Sequence, residues 1–556
     1  MTGDEPYADL RQTHSGVVML LGDLAYKVKR PVRLGFLDFS TLEARRAVCA
    51  REVELNRRFS PDVYLGVGAL RRPDGVEEPA VVMRRMPDAR RLAHLVRSDP
   101  ENPRLLEMVD DVARRIAALH GAAPRSARID DEGTRDAIAS RWDASFAQLH
   151  DDGAQLIGRP LLAEIEERVH RFLAGRADLF ARRVADGLVV DGHGDLTADD
   201  IFCLDDGARF LDCLEFDDRL RYVDVLDDLA FLAMELEWLG APVLSRHLIE
   251  RYLELTGDPG PVALRHHLIA YRAFVRAKVS CLQGAAVRAT ASVQAAGYAD
   301  LAVRHLRAGE VRIVLVGGPP GTGKTTLAGD VADRLGFVVI SSDRVRKELA
   351  GVAAETPASA DLWSGIYDAE HTAATYQEML RRAEMLVARG ESVVLDASWT
   401  DAGQRRAARN SARSTRSRLV ALFCQCDSEL AAQRVAARAA VGGSISDADE
   451  RVAAALRAKA DPWPHSIVID TSSTRETCAE IALWAVQESG RHTDSADGNG
   501  GRIAIAFDLP GSRGPAGSRH PTAPDDEAPG AGILGVGDHQ RTESSRPLRD
   551  RSHPDL

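Results

Sequence analysis

The sequence predicts an α+β domain, then an α/β domain with a parallel sheet, and finally a disordered tail. Residues 13–40 and 63–86 contain short apolar runs typical of strands, whereas residues 102–185 and 225–308 have mainly the apolar spacing of helices. From residue 310 onward, apolar runs alternate with helical segments, which is the pattern of a parallel sheet covered on both faces. From about residue 489 the chain consists mainly of Gly, Pro, Ser, Asp, Arg and His, which cannot form a core.

The length of 556 residues is too large for one ordinary hydrophobic core. We place the first domain, the second domain and the tail at 1–308, 309–488 and 489–556. No window contains eighteen uninterrupted apolar residues, and the N-terminus lacks a basic-then-apolar signal pattern. We therefore expect a cytoplasmic protein without a membrane segment, and the sequence indicates no particular oligomeric state.

The formal net charge of −12 argues against a surface that coats nucleic acid, although it leaves room for a local basic pocket. The seven cysteines have neither zinc nor redox spacing, so we expect reduced thiols. Only six lysines occur against 65 arginines. Lys27 and Lys29 are therefore candidates for function, because lysine supplies the compact point charge that a phosphate site needs.

In the first domain, VVMLLGDLAYKV predicts a β-hairpin and Leu42–Phe59 predicts a helix. Strands are expected again within residues 63–86, and a short strand pair within 188–216. Helices are expected over residues 103–121, 135–150, 160–185 and 225–308, the last with a break at Thr256–Pro261. The result is a small β-rich lobe followed by a larger helical lobe.

In the second domain, we expect five strands, each next to a helix, at 311–316, 337–341, 392–396, 418–424 and 466–470. The first strand leads into the pattern G-x-x-x-x-G-K-[ST]. Glycines let backbone N–H groups surround phosphate oxygens, and the next helix presents its positive N-terminal end. Lys324 would reach the β- and γ-phosphates of ATP, and Thr325 would bind Mg²⁺. The predicted nucleotide-binding residues are Gly318, Pro319, Pro320, Gly321, Thr322, Gly323, Lys324, Thr325 and Thr326.

Residues 193–228 combine many acidic residues with apolar runs; the set is His193, Asp195, Asp200, Asp212, Asp224 and Asp228. A buried carboxylate needs a metal ion, hydrogen bonds or a cation to offset its desolvation, and such groups cluster at functional sites. The alternative is that these residues cap helices or lie on a solvated face.

The segment HGDL at residues 193–196, with Asp212 seventeen residues after Asp195, resembles the catalytic and metal loops of the aminoglycoside phosphotransferase family. This resemblance implies a bilobal domain with the protein-kinase-like fold. It also implies that Asp195 is the catalytic base and that Asp212 binds Mg²⁺. Asp228 matches an acidic residue that opens the next helix, and we expect it to be structural.

The same resemblance implies that Lys27 holds the α- and β-phosphates and that Glu52, or Glu54, pairs with it. The alternative for Lys27 is an exposed strand lysine. Asp200 stands where the family has Asn; it can bind Mg²⁺ through oxygen but adds a negative charge. The turn at residues 14–16 lacks the glycine-rich pattern. The segment GFLDFSTLEARR also resembles bacterial proteins that join such a domain to a P-loop ATPase.

In the second domain, FVVISSDRVRKEL places Asp343 at the carboxyl end of a strand, where ligands bind in parallel sheets. The segment resembles polynucleotide-kinase-like and zeta-toxin-like P-loop kinases. This resemblance implies that Asp343 activates an acceptor hydroxyl and that Arg346 holds a substrate phosphate. The alternative is that Asp343 caps the following helix.

Two further features complete the predicted second site. Asp396 ends the apolar strand SVVLDAS and suits a carboxylate that helps hold Mg²⁺, or a buried strand-end cap. Arg434 and Arg438 lie four residues apart on a predicted helix, before a glycine-rich segment that could close as a lid over the nucleotide. The alternative for both arginines is a solvated helix face.

Together these features predict an ATP- and Mg²⁺-dependent bifunctional phosphotransferase that acts on hydroxyl groups of small molecules. Three alternatives stay open. The N-terminal half could be only a sensing or regulatory module, or the P-loop half could be an ATPase switch. The P-loop half could also phosphorylate a nucleic-acid end or a nucleotide-sugar.

Overall fold

The computed structural model describes residues 7–12, 16–34, 37–149, 153–282, 288–353, 365–441 and 458–488. All of them belong to one compact unit, Met1–Ala504. The predicted tail at 489–556 lies outside the described residues. The predicted boundary at 308/309 falls between a helix that ends at Ala308 and a strand that begins at Arg312, and the domain limits stay a prediction.

The first lobe is built on antiparallel strands. They are β1 (Ala8–Gln12), β2 (Gly16–Leu21), β3 (Leu24–Lys29), β4 (Arg33–Leu34), β5 (Leu37–Asp38), β6 (Tyr64–Arg71) and β7 (Glu77–Arg84). Five of them form one sheet in the order β1-β2-β3-β7-β6, and β4 pairs with β5. The helix α1 (Leu42–Asn56) packs on this sheet, and the Thr41 side chain caps it by accepting a hydrogen bond from Ala44 N.

Strands β2 and β3 form the predicted hairpin around Gly22, whose φ of +57° is a left-handed conformation that glycine adopts readily. Alternate residues of β3 face inward, so Lys27 and Lys29 share one buried face of the strand. The sequence does not predict β1, because this edge strand is exposed or half-buried along its whole length and lacks a clear apolar run.

The second lobe is mainly helical. Its helices are α2 (Leu92–Ser98), α3 (Arg104–Ala122), α4 (Ala127–Glu132), α5 (Arg135–Leu149), α6 (Gly153–Ile157), α7 (Arg159–Ala174), α8 (Ala177–Ala185), α9 (Val225–Trp238), α10 (Pro242–Thr256), α11 (Val262–Leu282) and α12 (Arg288–Ala308). Between α8 and α9 lie β8 (Val189–Asp191), β9 (Ile201–Leu204), β10 (Gly207–Phe210) and β11 (Tyr222–Asp224). β8 pairs with β11 and β9 with β10. The segment predicted as one helix over 160–185 is two helices, which separate around Gly175.

The remaining part is an α/β fold with five parallel strands, as predicted. The strands are β12 (Arg312–Gly317), β13 (Val338–Ser341), β14 (Val393–Asp396), β15 (Arg418–Gln425) and β16 (Ile467–Asp470). The helices are α13 (Lys324–Leu335), α14 (Ser342–Leu349), α15 (Ala369–Ala388), α16 (Ala402–Ser414), α17 (Ser428–Val441) and α18 (Arg475–Glu488). The sheet order is β13-β14-β12-β15-β16. Each predicted strand agrees with an observed one to within one residue at either end.

Side chains of β12 alternate between two hydrophobic cores. Ile313 and Leu315 belong to a large core that continues through α15 and α16 into the helices of the second lobe. Val314 and Val316 belong to a smaller core that includes side chains of α13 and α18. Because successive strand residues point to opposite faces, β12 connects both cores. The parallel sheet and the helical lobe therefore share one continuous apolar interior.

Among the described helices, none is both long enough and apolar enough to cross a membrane.

The glycine-rich loop before α13 gives a testable prediction. Gly321 has a φ of +83°, and a Cβ atom there would lie 2.3 Å from the carbonyl oxygen of Ala431. We expect Gly321→Ala to lower the free energy of unfolding by at least about 1–2 kcal/mol, because alanine disfavours this backbone conformation. Gly329→Ala, in the middle of α13 with nothing within 4 Å, should raise it by about 0.5–1 kcal/mol. Urea unfolding of both variants measures the difference, and effects of the same sign would contradict the prediction.

Candidate active sites

Lys27 lies at the centre of the first group of charged side chains. Its Nζ is 2.9 Å from Glu52 Oε1 on α1 and 2.5 Å from Asp212 Oδ1. Glu52 is fully buried, whereas the side chain of Glu54 is 69% exposed and contacts Arg51. The structure therefore brings Lys27, Glu52 and Asp212 together and leaves Glu54 at the surface.

Lys29 shares the same carboxylate. Its Nζ is 2.6 Å from Glu52 Oε2 and 2.5 Å from Glu215 Oε1, so each oxygen of Glu52 contacts one lysine. Although burial disfavours both ammonium groups, the surrounding carboxylates keep the pKa of Lys27 and of Lys29 above the ordinary value. Sequence reasoning missed Glu215. Its signal is the three-residue spacing from Asp212 in the otherwise apolar FLDCLEF.

Asp212 is held in a backbone conformation that residues other than glycine rarely adopt, with a φ of 64°. Its backbone N–H donates to Tyr64 Oη at 2.9 Å, and its side chain is 45% exposed. Burial of the region favours the neutral acid, but Lys27 and Lys29 hold the pKa of Asp212 below its ordinary value. The result is an ionised carboxylate that contacts Lys27 and is still open to solvent, which suits a cation ligand.

Asp195 lies on the loop between β8 and β9, next to the left-handed Gly194. Asp228, in the first turn of α9, accepts hydrogen bonds from the backbone N–H groups of His193 at 2.7 Å and Gly194 at 2.9 Å. Burial and the nearby Asp212 carboxylate raise the pKa of Asp195 to about 7. The loop thus holds a carboxyl group that titrates close to neutral pH.

Asp228 also receives a hydrogen bond from His120 Nε2 at 3.2 Å, and Tyr252 Oη lies 2.8 Å from His120 Nδ1. Burial opposes ionisation of Asp228, but His120 and other donors keep its pKa well below the ordinary value. From the other side, Arg272 Nη1 donates to the carbonyl of Gly194 at 3.2 Å. This network fixes the loop, as expected for a structural Asp228. Sequence reasoning did not identify its partners, because they lie far away in the chain.

Asp200 accepts a hydrogen bond from Thr197 Oγ1 at 2.8 Å. Burial and the Asp212 carboxylate raise the pKa of Asp200. Two carboxylates close enough to repel each other fit a site for a divalent cation. Within the described ranges, no group of three or more His, Cys, Asp or Glu is arranged to hold a metal ion by itself. Asp200 and Asp212 therefore fit Mg²⁺ best when nucleotide phosphates supply further ligands.

The second group of side chains surrounds the loop between β12 and α13. Gly318, Gly321 and Gly323 have φ values of +144°, +83° and +78°. A Cβ atom at Gly318 would lie 2.6 Å from the carbonyl oxygen of Cys424, so the backbone packs too closely for a larger residue. α13 begins at Lys324 directly after Gly323, and its N-terminal end faces the loop.

The rest of the loop is tied down by hydroxyl groups. Thr322 Oγ1 donates to the carbonyl of Pro319 at 2.7 Å, and Thr471 Oγ1 donates to the carbonyl of Thr322 at 2.8 Å. Pro320 lies between these anchors and is buried, whereas Thr326, on the first turn of α13, is exposed. Sequence reasoning missed Thr471, which holds the loop from the end of β16.

Asp396 lies at the carboxyl end of β14, and Thr325 is near enough to its side chain to affect its pKa. Burial raises the pKa of Asp396, although Lys324 and Thr325 act in the opposite direction. Among the described residues, Asp396 Oδ1 is buried without a hydrogen-bond partner. An unpartnered carboxylate oxygen beside a threonine hydroxyl fits a Mg²⁺ ion that would bind phosphates at Lys324.

Asp343 is the second residue of α14, immediately after β13. Ser341, two residues before Asp343, is paired with Asp396 in the parallel sheet. The Asp343 carboxylate is close enough to contribute to the raised pKa of Asp396. The two acids therefore lie at the same edge of the sheet as the P-loop.

Arg346 contacts protein groups in this structure. Its Nη1 donates to the carbonyl of Ile366 and to Thr372 Oγ1, each at 3.1 Å, and its guanidinium lies 5.0 Å from the centre of the Tyr367 ring. The side chain is buried against the segment that precedes α15. It shares α14 with Asp343, but its contacts are with residues 366–372.

Arg434 lies beside the P-loop. Its Nη2 donates to the carbonyl of Thr471 at 2.9 Å, and Nη1 would lie 3.8 Å from a Cβ atom at Gly323. The side chain of Arg438, on the same helix, lies outside the described residues, as does the glycine-rich segment predicted to form a lid.

Comparison with known proteins covers both halves of the chain. A family model described as an AAA domain matches residues 313–463. Over 474 residues the chain is 43% identical to the uncharacterized protein Rv2004c of Mycobacterium tuberculosis, with 85% of this chain and 94% of that protein covered. The same figures hold for the uncharacterized protein Mb2027c of Mycobacterium bovis.

Two solved structures are similar to different parts of the chain. A choline/ethanolamine kinase family protein from Mesorhizobium loti is 16% identical and has a TM-score of 0.33, covering 55% of this chain and 92% of its own. A sugar kinase from Janibacter sp. HTCC2649 is 19% identical and has a TM-score of 0.24, covering 32% and 96%. The fold assignment rests on the strand order, ion pairs and P-loop of this chain.

The shared carboxylate gives a testable prediction. Glu52→Gln removes the carboxylate charge that the buried ammonium groups of Lys27 and Lys29 both contact. We therefore expect the free energy of unfolding to fall by about 3–5 kcal/mol. Glu54→Gln, on the same helix but exposed, should change it by no more than about 1 kcal/mol. Chemical denaturation of both variants tests this. Similar losses in the two variants would show that the Glu52 pairs do not stabilise the lobe.

Proposed function

This chain belongs to the same protein family as the mycobacterial proteins, and we propose that it is an ATP- and Mg²⁺-dependent phosphotransferase. The proposal gives it two sites, each of which transfers the γ-phosphoryl group of ATP to a hydroxyl group of a small molecule. One observation carries it. Two separate groups each combine a lysine suited to phosphate with a carboxylate suited to Mg²⁺, namely Lys27 with Asp212 and Lys324 with Asp396.

In the first site, Asp195 accepts the proton of the acceptor hydroxyl. The acceptor oxygen bonds to the γ-phosphorus while the bond to the ADP oxygen breaks. A carboxyl group with a pKa near 7 suits this role, because it is substantially ionised at neutral pH and still basic enough to take a proton. Lys27 would hold α- and β-phosphate oxygens. Mg²⁺ held by Asp212 and Asp200 would neutralise phosphate charge.

In the second site, the glycine loop and the N-terminal end of α13 hold the phosphates with Lys324. Thr325 and Asp396 would hold Mg²⁺, and Asp343 accepts the proton of the second acceptor. Arg434 beside the loop supplies positive charge. Arg346 donates hydrogen bonds to Ile366 and Thr372 rather than pointing to an open site. These contacts support a positioning role, in which Arg346 orders residues 366–372 next to Asp343.

A second candidate function keeps only the P-loop site active and makes the N-terminal half a sensing module. The observation in its favour is that Asp212 already neutralises Lys27, with Asp200 adding a further carboxyl group nearby. In that case nucleotide binding in the first half would change its conformation without phosphoryl transfer.

The acceptors are proposed as small hydroxyl compounds. The acidic net charge of −12 weakly opposes a nucleic-acid acceptor, which stays an alternative for the P-loop site only.

The catalytic role of Asp195 predicts a selective loss of transfer. Asp195→Asn should lower kcat for phosphorylation at the first site by about 10²- to 10⁴-fold, because the general base is removed. Asp199→Asn, with about half of its side chain exposed and outside the proposed site, should leave kcat unchanged. The measurement is transfer of labelled phosphate from ATP to aminoglycosides, sugars and 5′-hydroxyl oligonucleotides. Unchanged transfer to every acceptor in Asp195→Asn would favour the sensing module.

The Mg²⁺ site of the P-loop gives a further prediction. Thr325→Ala should raise the Mg²⁺ concentration needed for half-maximal ATP turnover by at least about 10-fold, because a ligand hydroxyl is lost. Thr325→Ser keeps the hydroxyl and should restore the normal Mg²⁺ dependence. Turnover is followed in Asp195→Asn to remove the first site. Identical Mg²⁺ curves for the alanine and serine variants would argue against Thr325 as a ligand.

A further inference from the structure

A small cavity, with about 20 Å³ available to the centre of a water-sized sphere, lies where the helical lobe meets the parallel-sheet fold. Its wall includes residues of α7, α11 and α12, and residue 416 just before β15. We call it the seam cavity. The charged and polar side chains that line it are Arg168, Arg171, Arg176, His267, Glu310 and Arg416.

Arg176 is a buried cation whose contacts, among the described residues, are all neutral. Its side chain donates to the carbonyls of Gly175 at 2.7 Å and Thr415 at 2.8 Å, and to Ser417 Oγ at 3.3 Å. Only 1% of the residue is exposed, and its Nε has no hydrogen-bond partner within the described part of the chain. A buried charge without a counter-ion is costly, so this guanidinium favours an anion in the cavity that it lines.

Glu310 is the acid in the wall, and several arginines already share it. Glu310 Oε1 is 3.3 Å from Arg171 and 3.6 Å from Arg168, while Oε2 is 3.3 Å from both Arg312 and Arg418. One carboxylate therefore faces four guanidinium groups. Arg168 also pairs with Glu164 at 2.8 Å, and Arg171 with Glu167 at 2.5 Å. Among the described residues no carboxylate pairs with Arg176, and the wall of the cavity contains four arginines and one glutamate.

His267 adds a second donor. Its Nε2 lies 3.2 Å from Trp142 Nε1, and because an indole N–H can only donate, Nε2 is the acceptor. The proton of the neutral ring is then on Nδ1, which has no partner among the described residues. The unsatisfied groups of the wall are thus N–H donors, and the missing partner is an acceptor.

We propose that the seam cavity binds a phosphate group, either free inorganic phosphate or the phosphate of a phosphorylated small molecule. Arg171 and Arg176 would contact it from the helical lobe and Arg416 from the parallel-sheet fold. Planar guanidinium groups match phosphate oxygens well. Arg416 has a φ of 53° and is exposed, so its side chain is available to an anion from solvent. The bound phosphate stabilises the contact between the two parts of the chain, and this function is separate from both proposed catalytic sites.

Calorimetric titration tests the proposal, with every protein carrying Lys324→Ala so that phosphate binding by the P-loop is weakened. Inorganic phosphate is titrated at constant ionic strength into this background and into the same background with Arg416→Asn or Arg171→Gln. Asparagine tolerates the left-handed conformation of residue 416. The matched control is Arg413→Gln, which removes an exposed arginine of α16 that does not line the cavity.

We expect one binding event in the background, weakened by about 10- to 100-fold in Arg416→Asn and in Arg171→Gln, because each variant loses a charge-assisted hydrogen bond. Arg413→Gln should bind as the background does. Absence of binding in the background, or equal affinity in Arg416→Asn, would overturn the proposal. A parallel titration with glycerol 3-phosphate separates the two sources. If glycerol 3-phosphate binds more tightly than inorganic phosphate, the ligand of the cavity is a phosphorylated small molecule. If it binds equally or more weakly, the ligand is free phosphate.

Discussion

The alternating side chains of β12 are the constraint on which the arrangement of the molecule depends. One face of this strand belongs to the core shared with the helical lobe, and the other belongs to the core under α13 and α18. The strand ends in the P-loop, so its position fixes the glycines that we propose bind phosphate. Its first residue, Arg312, contacts Glu310 at the seam cavity. A polar residue at Ile313 would disturb the core shared with the helical lobe, and one at Val314 would disturb the core under α13 and α18. Either change would displace the loop.

At three places in this arginine-rich chain, one carboxylate contacts several positively charged or N–H donor groups. Glu52 serves two lysines, Asp228 serves a histidine and two backbone N–H groups, and Glu310 serves four arginines. At Glu52 both partners are buried lysines, and at Asp228 the donors fix the backbone of the loop. At Glu310 four guanidinium groups share one carboxylate, and two of them, those of Arg168 and Arg171, also pair with Glu164 and Glu167.

The fold could be predicted because its signals are local. Apolar runs of four to eight residues mark the parallel strands, and the glycine pattern fixes where β12 ends. The candidate sites were predictable only in part. Lys27 and Asp212 belong to recognisable segments, but Glu215, His120 and Thr471 are defined by contacts across more than a hundred residues. The side chain of Arg346 points toward residues 366–372 because it contacts them, and the spacing of residues on α14 does not predict this orientation.

The ion pairs of Lys27 have a consequence for how a nucleotide could enter the first site. Two ammonium groups face three carboxyl groups there, so the resting network is already close to electroneutral. Free ATP would add several negative charges and would compete with Asp212 for Lys27. A cation that arrives with the nucleotide offsets this repulsion and gives Asp212 a new partner. Metal and nucleotide should therefore bind as a pair, each weakly without the other, as two linked ligands of one charge-balanced site.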